Sequence, residues 1–488
     1  KYNRDITMKK RILQPELNRK NVTPEKQNQY IKTLKKMIDC KTVYDKDGTN
    51  IEEYNKFYQV LEQEFPNLHK HAKRLTFGGG CFVYVIEGRR NPATKEKNII
   101  SNDTSNASKK PEVNVNKNIM LMSHHDVVDG DDTWETDPFC AVEKEGALWG
   151  RGTIDTKPPL FAQLQACEEL VEEGYDFEGI NVYIGSSNNE ECCGDGMVLA
   201  TEYFRKNNLR FDVVLDEGGA ITTGQIPGVT AKSAMVAVHE KSRHVYQCKT
   251  KLSTKGHGGF GPATDNALVR MSDFIGEVNR QNIYKGNFYP EVKATFTSHA
   301  PYMSFPMNLL FGNFAIFGPV IKKIMLKIPQ TNPMLSTSIS FTAMSAGRKE
   351  EPQIRAKEAE ATMFLRCIRE DDLLAGLEKI KNIAKKYDVE IEEVLRDYCE
   401  PTDFTKEPYK VMEKVLNENF PDVIVAPFLL TAGTDARHFT GIADSILRFA
   451  PIDLDQKQFA SIHSANEHIK TKNVGECVCF YKDFVKQI

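Results

Sequence analysis

Along the first half of the chain, apolar runs of strand length alternate with amphipathic stretches of helical length. Residues 22–64 carry helical periodicity, with Thr23 placed to cap and Pro24 in the first turn. Cys81–Glu87 and Lys117–Ser123 read as strands, and the polar, low-complexity segment Asn91–Asn116 between them reads as a loop extending into solvent. Pro158–Glu173 has the spacing of a helix, with Gly174 just past its end. A strand at Ile180–Gly185, a helix at Gly196–Asn207 and a strand at Phe211–Leu215 follow. This alternation predicts an α/β fold, a mixed and mainly parallel sheet covered by helices.

From His239 the pattern changes. Strands are expected at Val245–Leu252, Ser336–Met344, Ala359–Ile368 and Val389–Val394, with helices at Thr264–Asn279 and Asp371–Tyr387. That is a two-layer α+β unit, residues 239–399, inserted into a domain built from 1–238 and 400–488. Within it, Tyr302–Met325 is the most apolar stretch of the chain. Pro306, Asn308, Gly312, Asn313, Gly318, Pro319 and the Lys322-Lys323 pair interrupt it, so it is not a membrane span. It reads as an insertion that packs, or that meets an apolar ligand.

At 488 residues the chain exceeds what one hydrophobic core usually serves, in agreement with two domains. A net charge of −3 gives no reason to expect nucleic acid or an anionic membrane as partner. Eleven cysteines, an odd number without a paired CxxC framework, favour buried reduced thiols, Cys192-Cys193 and Cys477/Cys479 included. The polar opening Lys1–Lys20 shows no signal-peptide pattern, a lean toward the cytoplasm. The chain does not begin with Met, so a vacuolar or secreted location stays open should a leader have been removed.

Candidate chemistry gathers after the predicted strands, where ligands collect in open α/β sheets. Leu121–Val128 is an apolar run ending in His124, His125 and Asp126; Gly150-Arg151-Gly152 leads to Asp155; Asn189-Glu190-Glu191, Leu215-Asp216-Glu217-Gly218-Gly219 and His463–Glu467 follow. His124, Asp155, Glu191, Asp216 and His463 offer imidazole and carboxylate ligands without cysteine, a set that suits zinc in an open catalytic site. His239-Glu240-Lys241-Ser242-Arg243-His244 imitates a zincin helix, but its histidines are five apart, where one helical face needs four.

These motifs, in this order, resemble the M20 metallopeptidase family, and within it the carboxypeptidase S and N-acyl-amino-acid hydrolase branch. The resemblance runs from about residue 117 to 483 and implies two divalent cations, most simply zinc. Asp155 would bridge them, with His124 and Asp216 completing one site, and Glu191 and His463 the other. Asp126 would orient His124, Glu190 would be the general base, and His257 in Gly256-His257-Gly258-Gly259 would donate to the oxyanion. Arg366 matches a lid arginine that grips a substrate carboxylate, and Gly433-Thr434-Asp435 matches a glycine loop near the substrate. Where the family usually has an Asn-Val-Ile-Pro run, thirteen residues before Arg366, this chain reads Gln353-Ile354-Arg355-Ala356, so substrate orientation by that side chain departs from the pattern. The resemblance also implies a cis Asp155–Thr156 peptide, a homodimer through the inserted unit, and a small peptide or N-acyl amino acid as substrate. An aminoacylase, a dipeptidase or a non-catalytic metal-binding relative are the alternatives; loss of Glu190 or of a ligand would mark the last, and neither is lost.

Overall fold

The computed structural model describes residues 10–45, 50–90, 116–131, 133–253, 256–258, 265–329 and 331–488. Except for Asn116, the loop expected at Asn91–Asn116 falls outside them, as does Gly259 of the glycine turn. The main sheet has 10 strands among the described residues. Its order is Lys73–Phe77, Cys81–Glu87, Ile180–Ser187, Lys117–His124, Val213–Asp216, Ile446–Arg448, Ser233–Glu240, Ile221–Thr222 and Asp453–Leu454, with Ile424–Leu430 also paired to Ser233–Glu240. Lys117–His124 runs parallel to both of its neighbours, so three strands deliver their carboxyl ends to one edge.

Both faces of this region are covered, which is why these strands are almost continuously apolar. Ile119 and Leu121 point to one side, into a core with the helices Lys157–Glu172 and Thr471–Gln487. Met120 and Met122 point to the other, against Met197, Ala200 and Phe204 of the helix Gly196–Lys206.

The stretch read as helical over 22–64 holds two helices, Pro24–Ile38 and Ile51–Glu64. The break has a cause in the fold. The carbonyls of Met37 and Cys40 turn to the buried ammonium of Lys157, at 3.0 and 2.8 Å. Thr42 then accepts the Val127 N–H, and Val43 bridges Val127. The chain here is a wall beside the His124 strand end.

A second sheet, antiparallel throughout, is built from Ser338–Ala346, Glu358–Cys367, Ser242–Lys251 and Glu390–Asp397 in that order. Ser242–Lys251 buries alternate residues against the helices Ala267–Arg280 and Glu370–Lys386, as one-face packing requires. The apolar stretch after Tyr302 forms two helices, Met307–Gly312 and Phe314–Met325, and Phe314, Ile321 and Met325 pack with Met235 and Leu429 of the main sheet. No described helix is long and apolar enough to cross a membrane.

Arg19 ties the N-terminal segment to the other end of the chain. Its buried guanidinium meets Asp422 at 2.7 Å, Asp453 at 2.9 Å and Glu476 at 3.3 Å. Removing one partner of a buried ion cluster strands the others without compensation. Arg19→Ala is therefore expected to destabilise the fold by about 3–5 kcal/mol, read by denaturant unfolding, while leaving the geometry around His124 intact.

Candidate metal centre and substrate site

His124 is the last residue of its strand, and its neighbour His125 faces the opposite way, as strand alternation demands. The His125 ring is buried between Phe57 and Phe82, with ring centroids 5.0 and 5.3 Å away, and Nδ1 lies 2.8 Å from Ser186 Oγ. His124 instead turns Nδ1 to the Asp126 carbonyl at 2.9 Å, which leaves Nε2 to point into the cleft. Nε2 there lies 2.9 Å from Asp155 Oδ1 and 3.4 Å from Glu217 Oε1.

Asp155 follows a tight loop whose amides are organised by Glu467. That buried carboxylate accepts the N–H groups of Gly152, Ile154 and Asp155 and pairs with Arg151 at 2.7 Å. The Asp155–Thr156 peptide is cis. The second carboxylate oxygen of Asp155 lies 2.9 Å from His463 Nε2, which is also 3.0 Å from Glu191 Oε2. One carboxylate thus presents each of its oxygens to a different imidazole, although His463 is 308 positions away along the chain.

Asp126 lies beside the imidazole and also serves the next turn. Its two oxygens accept the backbone N–H groups of Glu190 and Glu191, each at 3.1 Å, and Oδ1 stands 3.4 Å from His124 Nδ1. It fixes the turn from which two adjacent carboxylates diverge. Ligand atoms converge within 4.8 Å in two groups, His124–Asp155–Glu191 and His124–Glu190–Glu217. Asp216 belongs to neither. Its oxygens accept the N–H groups of Glu217 and Ala436, both at 2.9 Å, while the Glu217 side chain lies 3.4 Å from His124 Nε2.

The electrostatics fit a cation-binding cradle. Burial and the charges of Asp155 and Asp216 push Glu217 up to about 8, against the opposing pull of His124. Burial and the nearby Asp435, Glu217 and Asp155 likewise raise Glu190 well above an ordinary carboxylate. Hydrogen bonds to Asp155 and Glu191 hold His463 up to about 10. Burial opposes a charged His124, but Glu217, Asp126 and Asp155 outweigh it and raise that group too. Crowded carboxylates facing two imidazoles are the donor set that divalent ions neutralise.

Beside this cluster the sequence-predicted Arg366 and Gly433 meet. A Cβ built on Gly433 would come within 2.5 Å of Arg437 Nη1, 3.0 Å of Arg366 Nη1 and 3.3 Å of Glu240 Oε1. Arg366 also donates to the Lys241 carbonyl at 3.1 Å. Arg437, which sequence reasoning passed over, is buried, with Nη2 3.9 Å from Glu190 Oε1 and Nε 3.3 Å from Asp397 Oδ2. Its only sequence signal is its place two residues after the Gly433–Asp435 loop. Glu240 anchors that loop by accepting from the Thr434 N–H at 3.1 Å and from Arg448 at 2.7 Å.

His257 and Gln353 lie together but in neither ligand group. His257 is exposed and bridges Ile354, and the Gln353 carbonyl accepts the Gly258 N–H at 2.6 Å. The zincin imitation is excluded by its structure: His239 sits on a strand and pairs with Glu291 at 3.1 Å. None of the eleven cysteines is in a disulfide, but Cys140, Cys192 and Cys193 are exposed rather than buried; the last two follow Glu191 on the turn whose amides Asp126 accepts.

The model of peptidase family M20/M25/M40 matches residues 120–487. The chain belongs to the M20 family. It is therefore a hydrolase of a metal-dependent family. Among curated relatives, it is 28% identical over 377 residues to the N-fatty-acyl-amino acid synthase/hydrolase PM20D1 of Mus musculus, covering 75% of this chain and 73% of that protein. It is 25% identical to the probable carboxypeptidase S-like 2 of Dictyostelium discoideum, covering 93% and 84%. Among solved structures, an M20 family metallo-carboxypeptidase from Sulfolobus solfataricus aligns with TM-score 0.63 at 18% identity, over 94% of this chain and 99% of that one. Human carnosine dipeptidase 1 aligns with TM-score 0.57 at 14% identity, over 94% and 97%. Both structures share the fold described above.

Proposed function

We propose that this M20 enzyme hydrolyses the amide bond beside a free α-carboxylate, in short peptides or N-acyl amino acids. The observation that carries this reading is Asp155, with one oxygen 2.9 Å from His124 and the other 2.9 Å from His463. His124, Asp155 and Glu217 would hold one divalent cation, and Asp155, Glu191 and His463 the other, with zinc the ion best suited to these donors. Such a pair, when bound, polarises an amide carbonyl and makes water a nucleophile near neutral pH. Glu217 thus takes the place the sequence resemblance gave to Asp216.

The remaining steps belong to side chains. Glu190 takes the proton of the attacking water on a carboxylate oxygen and passes it to the leaving nitrogen. Asp126 holds Glu190 and Glu191 apart through their amides, so one carboxylate serves as ligand and the other as base. Arg366 and Arg437, converging over Gly433, bind the substrate carboxylate, for which guanidinium geometry is suited. We divide the chain into catalytic segments 1–238 and 400–488 around a lid or dimerisation unit, 239–399. The exposed edge strand Ser338–Ala346 offers a surface for a second copy. His257 would donate to the oxyanion from the turn it shares with Gln353, on closure or across such a dimer.

The test is a side-by-side panel of short peptides and N-acyl amino acids, each with a free or an amidated carboxylate. Turnover of the free acids alone is expected. Equal turnover of the amides would remove the carboxylate grip from the account. Gly433→Ala sharpens the same point: its methyl would displace both guanidinium groups, and KM for free-acid substrates is expected to rise about tenfold or more with a smaller change in kcat.

A further inference from the structure

The helix Phe314–Met325 is apolar on both sides. Its inward face, Phe314, Gly318, Ile321 and Met325, is buried in the core described above. Its outward face carries Ile316, Val320 and Ile324, one helical turn apart, with fractional exposures of 71%, 55% and 51%. Ile328 continues the line, and exposed Phe305 and Leu309 precede it on the segment whose helix packs against this one. A helix that is apolar all round normally has its whole circumference covered, and single exposed aliphatics are ordinary where a continuous stripe is not.

Charge says what covers the stripe. From 292 to 349 there is no Asp or Glu, in a chain with 67 acidic residues, while Lys293, Lys322, Lys323, Lys327, Arg348 and Lys349 all fall within it. Lys323 and Lys327 are exposed, flank Ile324, and are not ion-paired among the described residues. The overall charge of −3 conceals this local segregation. Two copies apposed through the stripe would bring like charges together with no acid in the segment to pair them. An anionic lipid surface accepts both components: aliphatic side chains enter the headgroup boundary and lysines meet the phosphates. At 12 residues the helix is too short to span, so it would lie in the interface plane.

We propose that the outward face of Phe314–Met325, with Lys323 and Lys327, docks the enzyme peripherally on anionic membranes. The proposal is independent of the substrate reading, since vesicle binding is measured without turnover. The experiment is flotation of the full chain with phosphatidylcholine vesicles, with and without phosphatidylserine, alongside sedimentation velocity without lipid. The chain is expected to float with the phosphatidylserine vesicles and to be released by high salt. Ile316→Asp/Ile324→Asp should abolish flotation, and Lys323→Gln/Lys327→Gln should weaken it about tenfold or more, with turnover of a short soluble substrate unchanged in both. Failure of the unmodified chain to float, or flotation of the aspartate variant like the parent, overturns the proposal. So does a dimer that the aspartate variant dissolves, which would assign the stripe to a second copy.

Discussion

Glu190→Gln is expected to lower kcat for amide hydrolysis by roughly 10²–10⁴-fold, the range a positioned general base contributes, with the metal content of the purified protein unchanged. The expectation follows from the turn that Asp126 pins. Its carboxylate takes the amides of both Glu190 and Glu191, so removing one carboxylate charge at Glu190 leaves the backbone and Glu191 in place. A glutamine keeps the volume but cannot accept a proton from water. Parallel measurement of kcat and metal stoichiometry separates a lost base from a lost ligand. A variant that hydrolyses at the parent rate would dismiss Glu190 as the base; one that loses its metal would make Glu190 a ligand.

The second large effect divides two adjacent carboxylates. Glu217→Gln is expected to weaken binding of one metal by more than about 100-fold, beyond what loss of an outer hydrogen-bond partner costs. Asp216→Asn should instead act mainly on stability, because it disturbs a buried acceptor of the Glu217 and Ala436 amides. Metal titration and thermal unfolding of both variants read the two effects separately. The reverse ordering would restore Asp216 as the ligand.

This pair also shows where the sequence stops being legible. The carboxyl end of Val213–Asp216 was visible from its apolar run, and a carboxylate ligand was expected there. Which of two consecutive acids faces the cleft depends on the phase of the strand end. Asp216 accepts the amide of Ala436, from a segment 220 positions away, a contact that no local pattern reports. His124, Asp155, Glu191 and His463 each close a motif with its own strand or loop signal, and the fold brings their side chains together.

Arg437 was missed for a related reason. Nothing local distinguishes it from a solvated arginine; its burial against Glu190, Glu240 and Asp397 is a product of the meeting of the two sheets. The helical reading of 22–64 holds for Pro24–Ile38 and Ile51–Glu64 but gave no sign of the break between them. Its periodicity is sound on both sides of the break, where the carbonyls of Met37 and Cys40 meet the buried Lys157, 120 and 117 positions away. The α/β layering was readable throughout, since buried parallel strands need long apolar runs and amphipathic crossovers whatever the site contains.

The most direct test is a zinc titration of chelator-stripped protein, followed by calorimetry. Binding of two equivalents per chain, reduced to one in His463→Ala, is the predicted result. A single equivalent in the parent, or two that survive replacement of His463, would contradict a centre bridged by Asp155.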